Sequence, residues 1–451
     1  MFPGPESDLA GHRTVTRRDA LRAGCAVVGT VSLAELGLAD ESPRRQRPRV
    51  AAIFDVCRHR SHANVILENF LLPYYFNGKK IVPEVDVVSL YADQFPEGEF
   101  ARDISREFGI PIYPTIREAL CRGGAKLAVD AVLSIVEGGD YPMNRRGQKE
   151  YPRKQFFDEI VAVMRESQRV VPIFNDKHLS YRWDWAREMY DTARLLRIPF
   201  MAGSSLPLAE RRPCLEIPIG AELEEALAIH GGPAEVYDIH GLEILQSIVE
   251  SRKAGETGVT SVEWVYGSAL WRAADEGRWS RDLAEAAMRA EFGDRTPPLG
   301  TVPDETPKEP HGLLITYKDG LKGTVLKFGD TNIRWNFACR RKDTGEIQAT
   351  KMHVGPWRNR YLFKAFSHAI QKFIRTGTAP YPVERTLLTT GILEAAMHSR
   401  EAGKPVATPE LGFEYRPVDF SELREMGKTY QVIDNTLPEP RNQLDRSSAG
   451  F

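Results

Sequence analysis

Between residues 48 and 201 short apolar runs alternate with segments of helical periodicity, and no other feature limits the possible fold as strongly. Residues 50–54, 85–91, 110–113, 127–136, 170–174 and 198–201 read as strands. Residues 61–72, 99–108, 116–122, 156–167 and 184–196 read as the helices between them, with Val65, Ile66, Phe70 and Leu71 on one face of the first. Strands that are apolar at nearly every position are buried on both faces. With helices interposed, they predict a Rossmann-like, doubly wound parallel sheet, so the fold class is α/β.

The second half is patterned differently. Residues 220–228 and 239–253 read as helices, and 259–266, 312–318, 322–328, 332–340 and 345–354 as strands. The turns Tyr317-Lys-Asp-Gly-Leu321 and Lys342-Asp-Thr-Gly-Glu346 are hairpin chemistry, which predicts a mostly antiparallel open sheet. Residues 294–311 are proline-rich and read as a loop or lid. Helices are expected at 358–375 and 383–401. The organisation is then a nucleotide-binding type domain at 48–212, a substrate or oligomerisation domain at 213–412, and a C-terminal arm at 413–451.

Charge narrows the partners. Lys plus Arg is 60 and Asp plus Glu is 62, a net charge of −2, so nothing in the balance calls for nucleic acid or an anionic membrane. The five cysteines form no CxxC pair, so neither a zinc knuckle nor a disulfide framework is indicated. Arg17 and Arg18 precede a weakly apolar stretch at 23–34 that ends in the small residues Gly37-Leu38-Ala39. The segment 1–39 reads as a twin-arginine signal, which predicts export to a periplasmic or other extracytoplasmic compartment; the plainer reading is an amphipathic helix. It is too short and too rich in Gly and Ala to span a membrane. After cleavage Cys57, Cys121, Cys214 and Cys339 remain, able to pair if oxidised or to stay free.

Four stretches carry a family likeness. Residues 85–113 run as strand, acid (Asp93), helix and Phe108-Gly-Ile-Pro111. Val129-Asp-Ala-Val-Leu133 is a buried strand, and Phe174-Asn-Asp-Lys177 ends the next one. Pro382-Val-Glu-Arg-Thr-Leu-Leu-Thr-Thr-Gly-Ile-Leu-Glu-Ala-Ala-Met-His-Ser399, then Gly403-Lys-Pro-Val406, is the longest. Over most of residues 48–410 the chain resembles the glucose–fructose oxidoreductase, inositol dehydrogenase and MocA family. The resemblance implies NAD or NADP as cofactor and oxidation or reduction of a sugar or cyclitol hydroxyl. It makes Lys177 the catalytic lysine, with His240 beside it at the helix start Asp238-Ile-His-Gly-Leu-Glu243. Asp238 is the third catalytic candidate, although the family's acid stands two residues earlier, at Val236. Asp93 falls where an acid meets the adenosine ribose. A carbohydrate-like small-molecule substrate and a homo-oligomer are expected. A lysine beside a nicotinamide can carry the hydroxyl proton as hydride leaves, and a histidine can share that task because its ordinary pKa is near neutrality.

The first turn departs from the family. Phe54, Val56 and His59 stand at the three positions of Gly-x-Gly-x-x-Gly, whose glycines let backbone amides approach a pyrophosphate. Arg58, Arg60, Ser61 and His62 could still meet a phosphate at the next helix start. Glu137 opens a long loop, 137–154, where the family holds nicotinamide and substrate. Two readings stay open: an NAD(P)-dependent oxidoreductase, and a non-redox sugar-binding or lyase/hydrolase-type protein that has lost ordinary dinucleotide binding. Asp55, Cys57, His59 and His62 offer metal-type donors, but one continuous segment rarely supplies a full tetrahedral set, so no metal is expected. Tyr181, Trp183 and Trp185 read either as sugar-stacking aromatics or as core. Trp357, Arg358 and Arg360 read as an oligomer contact or a solvated helix start.

Overall fold

The computed structural model describes residues 46–302, 310–330 and 334–440. The signal-like segment 1–39, with Arg17, Arg18 and Cys25, lies outside the described residues, as does 303–309 of the proline-rich loop.

The first half begins with β1 (Arg49–Phe54), α1 (His62–Leu71), the hairpin β2 (Tyr74–Phe76) and β3 (Lys79–Ile81), and β4 (Asp86–Ala92). There follow α2 (Ala101–Phe108), α3 (Ile116–Cys121), β5 (Ala131–Ile135), α4 (Arg153–Ser167), β6 (Ile173–Asp176), α5 (Trp183–Leu195) and β7 (Phe200–Gly203). The strands pair in parallel in the order β4-β1-β5-β6-β7. In β1, Val50, Ala52 and Phe54 enter one core and Ala51 and Ile53 the other, which is why this run is apolar throughout. The run at 110–113 makes only a single bridge, Ile112 with Leu90 of β4, since Pro111 has no N–H to extend a ladder.

The second half comprises β8 (Glu210–Arg212), β9 (Leu223–His230), α6 (Asp238–Val249), β10 (Val259–Tyr266), α7 (Ser268–Asp275) and α8 (Arg281–Phe292). It continues with β11 (His311–Tyr317), β12 (Lys322–Lys327), β13 (Trp335–Arg341), β14 (Ile347–His353), α9 (Asn359–Thr376), α10 (Val383–Ala402) and β15 (Val406–Ala407). The eight strands order as β15-β10-β11-β12-β9-β13-β14-β8, antiparallel except for the parallel pair β12–β9.

One expectation is corrected: residues 220–228, rich in Leu, Glu and Ala, lie largely in strand β9. The strand sits between β12 and β13, with Ala226 and Ala228 in one core and Leu227 and Ile229 in another. Helix propensity is worth a few tenths of a kcal/mol per residue, about what one well-buried side chain outweighs. Helix α10 packs on β10 and α6 and also on α5 and β7 of the first sheet. The two sheets thus share a continuous core in one compact unit beginning at Arg47. Cys57, Cys121 and Cys339 are buried and Cys214 is exposed. No helix among the described residues is long and apolar enough to cross a membrane.

Candidate active site

Parallel strands present the residues that follow them along one edge of the sheet, and here that edge is polar. Asp55 follows β1, Glu137 follows β5, Asp176 ends β6 with Lys177 behind it, and Ser204 and Ser205 follow β7. The start of α6 (Val236, Tyr237, His240), Trp335 of β13 and the start of α9 (Arg358, Asn359, Phe363) form the facing wall. They enclose a cavity of about 240 Å³ onto which Lys177, His240, His62, Glu137 and Arg60 open.

The cavity contains a connected set of charges. Lys177 Nζ lies 3.3 Å from Glu137 Oε2, and Glu137 Oε1 accepts the backbone N–H of His62 at 2.8 Å. Burial pushes the Glu137 carboxyl up, but His62, Lys177 and that N–H outweigh it and hold it at about 2. His62 Nδ1 is 2.7 Å from Asp176 Oδ2, a contact that orients the ring and leaves Nε2 as its other nitrogen. The His62 and His240 rings lie 6.2 Å apart. His240 Nδ1 is 2.7 Å from Ser204 Oγ, and burial followed by the Lys177 and His62 charges keeps its pKa well below the usual imidazole value. Lys177 has φ +62, a left-handed conformation unusual for a residue with a side chain. Its N–H donates to Gly203 O at 3.0 Å, so neighbouring structure holds a conformation that costs on the order of 1–3 kcal/mol.

The other predicted site residues are placed elsewhere. Asp238 faces away from this cavity: its Oδ1 sits between His230 and His311, and its Oδ2 accepts the Glu235 N–H. Asp93 accepts hydrogen bonds from Tyr91 and Tyr141 hydroxyls at 2.9 and 2.8 Å. Arg58 donates to Gly138 O at 2.8 Å, and Arg60, though it lines the cavity, pairs with Glu439 of the C-terminal arm. Ser61 caps α1, accepting the Asn64 N–H. Trp183 stacks on Phe413 and Tyr181 meets Trp185, all outside the cavity. Arg360 is buried and paired with Glu68 and Glu439. Asp55, Cys57, His59 and His62 do not converge, since Asp55 binds backbone and His62 binds Asp176. Residue spacing did not reveal Asp176, Ser204, Tyr237 or Trp335; only the place of Asp176 beside Lys177 was a usable signal.

No family profile and no curated protein matches this sequence. Among solved structures, GenD2 from gentamicin A biosynthesis, determined in complex with NAD, superposes with a TM-score of 0.52 at 12% identity, over 80% of this chain and 96% of its own. The myo-inositol 2-dehydrogenase of Lactobacillus plantarum gives 0.48 at 12% identity, over 80% and 99% of the two chains. A myo-inositol dehydrogenase of Corynebacterium glutamicum gives 0.49 at 13%, again over 80% and 99%. The chain is an α/β protein with the two-sheet fold of the glucose–fructose oxidoreductase, inositol dehydrogenase and MocA proteins. At such identities the likeness is one of fold.

Whether a dinucleotide fits is decided by the first turn. Asp55 is buried and fills the space between the strand ends: Oδ1 accepts the Val56 N–H at 2.7 Å, and Oδ2 accepts Gly138 and Gly139 N–H at 2.9 and 2.8 Å. The Arg58 N–H goes to Ser61 Oγ, the Arg60 N–H to Asn64 Oδ1 and the His62 N–H to Glu137. The chain's own side chains, Asp55, Ser61, Asn64 and Glu137, thus hold the turn's amides at Val56, Arg58, Arg60 and His62, the kind of group a pyrophosphate would use. In this arrangement the turn does not fit one.

Proposed function

We propose that this chain is an acid–base enzyme of lyase or hydrolase type, acting on a small hydroxylated molecule in the cavity beneath Lys177, His62 and His240. The observation that carries the reading is the Asp55 carboxylate bound to the Gly138 and Gly139 amides, beside a lysine and a histidine each set against its own carboxylate. A histidine oriented by a carboxylate can take a proton through its other nitrogen, and an ammonium group can supply one. In an elimination, His62 removes a proton from carbon and the C–H electron pair becomes the new double bond. The C–O bond of the neighbouring carbon breaks with its own pair, and Lys177 donates the proton that releases the hydroxyl as water. Substrate hydroxyls would be held by Asn359, Tyr237 and Arg358 on the facing wall.

The fold favours a second reading, NAD(P)-dependent oxidation or reduction of a sugar or cyclitol hydroxyl, with Lys177 at the hydroxyl proton. GenD2 holds NAD on the same fold, and that is its support. Calorimetric titration of the full chain with NAD and NADP separates the two. The first reading expects no saturable binding up to millimolar cofactor; micromolar binding of either would replace it with the second. We also propose that residues 1–39 direct export, which sequencing the N-terminus of the periplasmic protein would test: an uncleaved Met1 in the cytoplasm rejects it. A homo-oligomer is the accompanying expectation, checked by light scattering.

A further inference from the structure

Behind Trp335, away from the cavity, three side chains from three elements meet at one oxygen atom. His230 at the end of β9 and His311 at the start of β11 each bring Nε2 to 2.8 Å from Asp238 Oδ1 at the start of α6. All three residues are buried, His230 and Asp238 with no exposed surface, and the three ligand-type atoms lie within 4.8 Å of one another.

The hydrogen bonding of this triad leaves a conflict. His230 Nδ1 is 3.2 Å from Gly231 O while its Nε2 faces the carboxylate, so both ring nitrogens face oxygen atoms. A neutral imidazole has one N–H to offer. A cation at Nε2 resolves this: Nδ1–H donates to Gly231 O, the outer hydrogen bond typical of a metal-bound histidine, and Nε2 gives its lone pair to the ion. Asp238 is prepared in the same way, because Oδ2 is occupied by the Glu235 N–H at 2.6 Å and Oδ1 is left for the ion. Lys327, whose charge reaches His311, is neutralised by Asp330 at 2.8 Å.

We propose that His230, Asp238 and His311 bind a divalent transition-metal ion, zinc above all, which clamps β9, β11 and α6 together behind the cavity wall. Two imidazoles and one carboxylate suit zinc and its neighbours, whereas magnesium and calcium prefer all-oxygen sets. Bonds of about 2.1 Å place tetrahedral ligand atoms about 3.4 Å apart, so the triad opens by roughly 0.6 Å on binding. His311, stacked on Trp264 at 4.0 Å and at the edge of the buried cluster, is the ring able to turn.

The test uses the full chain purified without a histidine tag, stripped with chelator and titrated with zinc against a chromophoric competitor. About one zinc per chain is expected, with cobalt(II) giving the visible bands of a low-coordinate nitrogen–oxygen site. His311→Gln and Asp238→Asn should each weaken zinc binding at least 100-fold, and His398→Ala, at a half-buried histidine of α10, should leave it unchanged. The wild-type titration decides even if a variant fails to fold: a stripped chain with unaltered circular dichroism that takes up no zinc overturns the proposal. Wild-type affinity in a folded His311→Gln variant would equally overturn it.

Discussion

Glu137 holds Lys177 and His62 together, with one carboxylate oxygen 3.3 Å from the Lys177 ammonium and the other accepting the His62 N–H at 2.8 Å. One side chain thereby ties the edges of β5 and β6 to the start of α1. Glu137→Gln keeps the shape and removes the charge opposite a buried lysine. Breaking one side of a buried pair costs about 3–5 kcal/mol, and the 16% exposure of the Glu137 side chain argues for the lower end. Urea denaturation should show a loss of about 3 kcal/mol; a change below about 0.5 kcal/mol would mean that the pair is solvated.

Asp55 and Glu137 predict opposite responses to pH. Burial, then the charge of Glu137, raises Asp55 from 3.8 to about 6, so its contribution to stability is present below about pH 4 and lost as pH rises through 6. At about 1.4 kcal/mol per unit this amounts to roughly 3 kcal/mol. Glu137, held at about 2, contributes above its ordinary value of 4.5 and loses that contribution as pH falls through 2. Urea midpoints of wild type and Asp55→Asn, compared from pH 4 to 7, should differ by an amount that shrinks as pH rises. A constant difference would show that Asp55 does not titrate there.

Lys177 and His62 should have separable effects on turnover. Lys177→Met is expected to lower kcat by about 10²–10⁴, the usual worth of a positioned acid or base. His62→Gln should lower kcat by a comparable factor through the other proton transfer. An unchanged kcat in both variants would take these residues out of the proton transfers.

Ser61 should matter to folding rather than to any phosphate. Its hydroxyl accepts the Asn64 and Arg58 N–H groups at the start of α1. Ser61→Ala should therefore cost about 1 kcal/mol, a typical N-cap loss, measured as a shift in urea midpoint with an unchanged slope.

At Gly391, inside α10, propensity and packing oppose each other. Alanine is favoured over glycine by about 1 kcal/mol in a helix interior. A Cβ here, however, would clash with Leu411 Cδ2 and lie 2.9 Å from Trp183 Cε3. Overpacking typically costs about 1–3 kcal/mol, so Gly391→Ala should lower the melting temperature; a rise would show that Trp183 moves aside freely.

The apolar alternation from Val50 to Met201 was sufficient for the first sheet because local pattern and tertiary burial agree there. Lys177 was legible as the residue just past a buried strand, and His240 as a polar side chain at a helix start. The partners of Asp238 were not, because His311 lies 73 residues away in sequence and only the order of the second sheet, in which β12 pairs with both β9 and β11, brings it beside His230 and Asp238. Strand β9 failed for the same reason: its residues favour a helix in isolation, and only the strands on either side make it extended.

Sequence by itself thus determined the α/β class, the parallel sheet and the polar edge where Lys177 lies, since these follow from periodicity and from what succeeds each strand. Tertiary structure decided the rest. It turned Asp55 inward onto the amides of a distant loop, set Asp176 on His62, and buried Asp238 between two histidines. Carboxylates carry no local signature of their partners, and which donor each one meets is settled only when remote backbone segments are packed together.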